Sequence, residues 1–266
     1  MKVVLFCGGL GMRLREASES LPKPMVPVGY RPLLWHLMKY YASFGHRDFV
    51  LCLGYKADVI KDYFLHYDEA VSNDFVLSGH GQIELLGSDI EDWRITFVDT
   101  GAEANIGTRL ARVAPYLRGE EMFLANYADG LSDFPLPQLI ERFRASDAIA
   151  SFLSVRPTSH FHMVRARRDG TVDAIEDLGD SGVRINGGFF VMRQEIFDYL
   201  NEGEELVEEP FQRLIAQRRL LTLPYDGFWI PVDTLKDKVA LDAMAEAGDL
   251  PWLRAASQHA RQQPAA

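Results

Sequence analysis

Residues Val3 to Cys7 form a short apolar run, VVLFC, that stops abruptly at Gly8-Gly9-Leu10-Gly11. Such a run bounded by glycines reads as a buried strand that breaks into a tight turn. Glycines at the end of a strand let backbone N–H groups crowd together, an arrangement that suits phosphate oxygens. Arg13 follows the turn, and Lys23 is held between Pro22 and Pro24. These two cations supply the charge that a polyphosphate needs.

The segments that follow alternate in type. Leu33, Leu34, Leu37, Met38, Tyr40, Tyr41 and Phe44 recur at helical spacing, Gly45 ends that helix, and Phe49 to Gly54 reads as a second buried strand. Lys56 to Phe64 predicts another helix. Strand, helix, strand, helix implies right-handed βαβ units and a parallel sheet. Short strands are expected at Phe75–Leu77, Ile83–Leu86 and Ile95–Val98, and an amphipathic helix at Thr108–Leu117. Met122 to Ala125 is a strand that runs into Asn126-Tyr127-Ala128-Asp129-Gly130. An acid just past the carboxyl end of a buried strand is where open α/β sheets place ligands.

Beyond it the pattern predicts a helix at Pro135–Ala145, a strand at Ile149–Val155 and a hairpin joining His162–Ala166 to Val172–Ile175. Gly187 to Met192 is apolar again, Pro210 to Gln217 is helical, and two short strands follow at Leu221–Tyr225 and Phe228–Ile230. Thr234 to Ala247 is a helix with Asp233 in the N-cap position. The polar stretch 255–266 reads as a flexible tail, leaving residues 1–254 as a single domain.

Composition mainly excludes partners. The chain is 47% hydrophobic and 25% charged, as ordinary globular proteins are. A formal charge of −10 argues against a nucleic-acid or anionic-membrane surface. No apolar stretch approaches the ~20 residues of a membrane span. Cys7 and Cys52 sit in apolar runs and read as buried, reduced thiols of a cytoplasmic protein. His36, His80, His160 and His162 show no metal-ligand spacing and read as structural or surface residues.

Three glycine-rich motifs compete for the N-terminal turn. A dinucleotide fingerprint needs a third glycine where Leu14 stands, and no acid lies between Pro22 and Lys39. The P-loop pattern is absent. The remaining pattern, G-G-x-G-x-R-L followed by K-P, accounts for Arg13 and Lys23 together. It resembles the sugar-1-phosphate nucleotidyltransferase family, and the segments FVDTG, NYADG, INGGFF and FWIPVDTLKDK look most like its glucose-1-phosphate cytidylyltransferase branch.

That resemblance, which spans about Lys2 to Trp252, implies a Rossmann-like, mostly parallel sheet flanked by helices of the GT-A-like type. A small β-rich sugar-binding part and a C-terminal helical extension would complete it. It implies transfer of a nucleotidyl group from a nucleoside triphosphate, CTP favoured, to a sugar-1-phosphate with release of pyrophosphate. Use of UTP, dTTP or GTP, or a non-catalytic nucleotide-binding homologue, are the alternatives. Arg13, Lys23, Asp129 and Asp233 would be catalytic, with Asp129 and Asp233 holding Mg²⁺. Gly8, Gly9, Gly11, Gly107 and Arg109 would bind the nucleotide, and Glu176, Asn186 and Gly187 the sugar phosphate. The resemblance also leaves room for a homo-oligomer, with the aromatic-rich segment Tyr63–Tyr67 as a candidate contributor.

One departure stands out. Many family members carry Glu-Lys-Pro before the INGGFF motif, and this chain has Glu176-Asp177-Leu178. A cation on the sugar phosphate has become an anion, and no lysine lies between Lys61 and Lys236. Arg165 and Arg184 are basic candidates for compensation on either side of the segment. Leu21 and Met12 also depart from the common pattern.

Overall fold

The computed structural model describes residues 1–9, 21–158 and 161–262; Gly11, Met12, Arg13, Leu14 and His160 lie outside the described residues. β1 (Val3–Phe6) lies in the middle of an eight-stranded sheet. β2 (Pro27–Val28) and β3 (Arg31–Pro32) form a small separate ladder. β4 (Asp48–Leu53) pairs with β1 in parallel. After it, β5 (Phe75–Ser78) and β6 (Gln82–Leu85) make a two-stranded antiparallel ribbon, and β7 (Arg94–Asp99) returns parallel to β4. β8 (Met122–Tyr127) lies parallel on the other side of β1.

Past β8 the sheet becomes mixed. β9 (Gly130–Ser132) leaves it, while β10 (Ala150–Val155) rejoins it. A second separate ribbon, β11 (His162–Ala166) and β12 (Val172–Asp177), follows. β13 (Ile185–Asn186) and β14 (Phe190–Arg193) both run antiparallel to β10, and β14 fills the place between β10 and β8. β15 (Leu220–Tyr225) closes the far side of β10 in parallel, and β16 (Trp229–Pro231) pairs antiparallel with β9. The sheet is mostly parallel, as expected, with β13 and β14 running against it.

Helices cover both faces. Val3 and Leu5 of β1 join one core cluster with α1 (Leu33–Ser43), α2 (Ala57–Leu65) and α5 (Leu136–Arg144). Val4 and Phe6 join the other with α4 (Ile106–Val113) and α6 (Glu209–Ala216). Burial on both faces is why β1 and β4 read as continuous apolar runs rather than alternating ones. The short α3 (Glu69–Ser72) precedes the first ribbon, and α7 (Leu235–Glu246) follows β16. Cys7 and Cys52 are free and buried, and burial raises both thiol pKa values.

The expected end of ordered structure at residue 254 falls inside a helix, α8 (Pro251–Gln262). Trp252 is fully buried and Ala255 nearly so. Leu253 packs against the same core, and this short cluster of apolar positions at the start of α8 is too brief for a periodic signal. The Trp252 indole donates to His36 Nδ1 at 3.2 Å, and His36 Nε2 lies 3.0 Å from the Val28 carbonyl. His36 is thus structural, as expected. Accepting at Nδ1 and donating at Nε2 defines the neutral ring, and burial holds its pKa down to about 4.

A pH dependence follows. The folded value lies below the unfolded value of 6.5, so the unfolded chain takes up the proton first as pH falls. The neutral-ring contribution is present above pH 6.5 and is lost on acidification toward about 4, at most ~3 kcal/mol. His46, held down to about 4 by burial, acts in the same direction. Melting curves at pH 7 and pH 5 should show a smaller acid-induced loss for His36→Gln than for the parent. Equal losses would remove His36 from this account.

Candidate active site

Lys23 opens a single 3-10 turn, Lys23–Met25, between two prolines that fix the backbone on either side. Its ammonium lies 2.7 Å from Asp129 Oδ2 and 2.6 Å from Asp233 Oδ1. These partners are 106 and 210 residues away in sequence. The Lys23 side chain is only 15% exposed, and burial alone would lower its pKa. The charges and hydrogen bonds of the two carboxylates outweigh that penalty and raise it, so the ammonium stays charged through neutral pH.

The two carboxylates meet because two short strands pair. Asp129 stands between β8 and β9, and Gly130 of β9 faces Pro231 of β16. The Val232 N–H donates to the Asp129 carbonyl at 2.8 Å, which carries the ladder one step further and brings Asp233 alongside. The helix cap expected of Asp233 is made instead by Thr234, in a capping box with Asp237. The hydroxyl of Thr234 accepts from the Asp237 N–H, and the Asp237 carboxylate accepts from the Thr234 N–H. Asp233 is thereby left to face Lys23.

Lys23 and Asp129 border a cleft at the carboxyl end of β1, which Gly8, Gly9, Ile106 and Tyr127 also line. The expected position of Asp129 at the end of a buried strand is the observed one. Tyr127 and Ile106 were not legible as site residues, because both read as ordinary apolar positions.

Arg109 sits differently from a surface nucleotide ligand. Its side chain is buried, and its guanidinium donates to the Leu53 carbonyl at 3.1 Å, the Thr100 hydroxyl at 2.8 Å and the Ala102 carbonyl at 3.2 Å. It braces the ends of β4 and β7 directly beneath the glycine turn: a Cβ on Gly8 would fall 2.0 Å from Arg109 Nη1. Gly107 has a similar packing reason, since a Cβ there would lie 2.2 Å from the Glu204 carbonyl oxygen. The physical demand at Gly8 and Gly107 is therefore close packing around α4.

On the other side of the cleft, the Asn186 amide donates to the Tyr127 hydroxyl at 3.3 Å and accepts from the Gly188 N–H at 2.9 Å. The Gly187 carbonyl accepts from the Trp229 indole at 2.9 Å, which ties this segment to the strand that leads to Asp233. Trp229 belongs to the FWIPVDT segment, but nothing local marks it as a brace. Glu176 lies on β12, where Arg165 of β11 pairs with its carboxylate. Arg184 instead pairs with Asp226 at 2.8 Å. Of the two basic candidates, Arg165 is the one that offsets charge at the altered segment.

Two carboxylates converging on one cation suit a hard divalent ion, which needs few protein oxygens and takes the rest from phosphate and water. Among the described residues no cluster of three or more His, Cys, Asp or Glu side chains offers a self-sufficient metal cage. The donor set fits an ion delivered with a polyphosphate.

Residues 2–241 match the model of the nucleotidyl transferase family. The chain is 38% identical to the glucose-1-phosphate cytidylyltransferase of Salmonella typhimurium over 253 residues, 95% of this chain and 98% of the relative. A probable glucose-1-phosphate cytidylyltransferase of Bacillus subtilis is 35% identical over 254 residues, 95% and 99% of the two chains. The fold is also that of a putative glucose-1-phosphate thymidylyltransferase from Bacillus anthracis, with a TM-score of 0.65 at 15% identity over 92% of this chain and 95% of that one. HddC from Yersinia pseudotuberculosis superposes with a TM-score of 0.62 at 19% identity, covering 92% and 99%.

Proposed function

The chain belongs to the nucleotidyl transferase family, and from that premise we propose that it transfers a cytidylyl group from CTP to a sugar-1-phosphate, with glucose-1-phosphate as the first candidate acceptor. The observation that carries the reading is the meeting of Lys23, Asp129 and Asp233 beside the Gly8–Gly9 turn, in a chain 38% identical to a cytidylyltransferase.

A phosphate oxygen of the sugar-1-phosphate attacks the α-phosphorus of the triphosphate in line. The bond from that phosphorus to the bridging oxygen breaks, and pyrophosphate leaves with the electron pair. Little covalent work falls to the protein, so positioning and charge neutralisation dominate. Gly8 and Gly9 allow the nucleotide to approach bare backbone. Lys23 leaves its carboxylate partners to bridge the triphosphate and the incoming phosphate. Arg13, outside the described residues, is assigned to the β- and γ-phosphates, with Gly11 completing the turn. Asp129 and Asp233 would hold Mg²⁺, which when bound offsets the negative charge on the triphosphate. Gly107 and Arg109 support the nucleotide side by shaping the turn from below, and Glu176, Asn186 and Gly187 line the acceptor side. We place the reaction in the cytoplasm, where buried thiols such as Cys7 and Cys52 stay reduced.

The exchange of the family lysine for Asp177 favours a second reading, a non-catalytic binder of nucleotide. A matrix of CTP, UTP, dTTP and GTP against several sugar-1-phosphates, with products read by mass, separates the two. Formation of a CDP-sugar is the expected result. Calorimetric nucleotide binding without turnover on any acceptor would shift the assignment to the binder.

A further inference from the structure

The loop before α6 presses on the first turn of α4. Asn105, the N-cap of that helix, donates from its amide to the Gly203 carbonyl at 2.8 Å, and the Glu204 carbonyl packs where a Cβ on Gly107 would lie. Glu205 comes next. Its Oε2 accepts from the Ile106 N–H at 3.2 Å, and its Oε1 accepts from the Leu206 N–H at 3.1 Å. Ile106 and Tyr127 both line the cleft. Burial raises the Tyr127 pKa, and the charge of Glu205 adds to that effect ahead of Asp129, although Asp129 is close in sequence. The Glu205 carboxylate therefore stands beside the wall that these two side chains form.

Among the described residues no cation neutralises it. Arg213 pairs with the neighbouring Glu204, and the charges that act on Glu205 are those of Glu208 and Glu209. Burial raises its pKa first, and those two carboxylates add to the shift. The α4 cap does not account for the residue, because the Asn105 side chain already accepts from the Thr108 N–H at 2.9 Å. A half-buried carboxylate without a cation is costly, and such a group at a cleft marks a functional position. Its two accepted bonds leave about half of its lone-pair sites open. A phosphate would be repelled there. A neutral O–H donor would fit.

We propose that Glu205 is a specificity-determining residue that accepts a hydrogen bond from a hydroxyl of a sugar ring bound in the cleft, the ribose of the nucleotide or the ring of the acceptor. Both rings reach the cleft in the reaction proposed above, on which this assignment rests. Each substrate is anionic at its phosphates and carries hydroxyls on its ring. The cleft is divided to match. Lys23 supplies the positive charge that phosphates need, and Glu205, beside Ile106 and Tyr127, supplies an acceptor at a place phosphates avoid. A ring that lacks the hydroxyl leaves the desolvated carboxylate unpaired, so the deoxy analogue is rejected.

The test is calorimetric binding of CTP with its 2′- and 3′-deoxy forms, and of glucose-1-phosphate with its 2-, 3-, 4- and 6-deoxy forms. The parent chain is expected to prefer one hydroxyl-bearing ligand about tenfold over one deoxy form, as a hydrogen bond to a charged group requires. Glu205→Ala should abolish that preference by weakening only the hydroxyl-bearing ligand. Glu205→Gln should keep part of it, because a neutral amide oxygen accepts more weakly than a carboxylate. The series in which the preference vanishes identifies the ring. A residue that only holds α4 in place would weaken a ligand and its deoxy form equally, and that result overturns the proposal. A parent without preference, or variants that bind every ligand as the parent does, also overturn it. Loss of discrimination between CTP and UTP with hydroxyl preference intact overturns it too and moves Glu205 to the base. Binding is read without turnover, so a failed transfer reaction counts against the proposed function alone.

Discussion

Asp129→Asn and Asp233→Asn are each expected to lower turnover by about 10²–10³-fold, the usual cost of removing one preorganised electrostatic contact from a reacting centre. Each substitution keeps side-chain volume and removes one charge. Lys23 retains one carboxylate partner in either variant, so no buried cation is left alone. The Thr234–Asp237 capping box and the β9–β16 ladder do not use either side chain, and the fold should survive. Sugar-nucleotide formation and a melting curve, taken on the same preparation, give both readouts. Full activity in both variants would remove the carboxylate pair from the mechanism.

Trp252→Ala is expected to be the most damaging single change to stability, at about 3–5 kcal/mol for a fully buried aromatic side chain. Trp252 stacks on Phe228 with ring centroids 5.8 Å apart and meets His36 edge-on at 5.5 Å. Its loss opens a cavity and leaves His36 Nδ1 without the donor it accepts from. In a domain of this size about 2–4 °C of melting temperature is lost per kcal/mol, so a drop of ~10 °C should be seen by calorimetry. A chain ending at Leu250 should behave the same way. If either melts within a degree or two of the parent, α8 contributes nothing to the core.

These two experiments divide along a line that the residues themselves draw. Asp129 was legible because a buried strand announces its own end: Met122 to Ala125 is continuously apolar, and the next acid falls at the carboxyl edge of the sheet. Lys23 was legible because two prolines and an upstream glycine turn frame it. Trp252 was not, because Trp252, Leu253 and Ala255 span too few residues to carry a period. Gly107 and Arg109 were expected beside the nucleotide, and the packing they carry out was hidden. The carbonyl of Glu204 that excludes a Cβ at Gly107 lies almost a hundred residues away.

The sequence by itself determined most of the strands and helices and the acid at the end of β8, because periodicities of two and 3.6 are local and survive without neighbours. It also determined the family, since the N-terminal pattern keeps its cations at fixed spacing. Only the tertiary structure decided that Lys23 makes an ion pair with both Asp129 and Asp233, that Thr234 makes the cap, and that β14 enters the sheet antiparallel. Each of these depends on which distant strand pairs with which, and in what register. Register is set by the packing of whole faces rather than by any short stretch of chain.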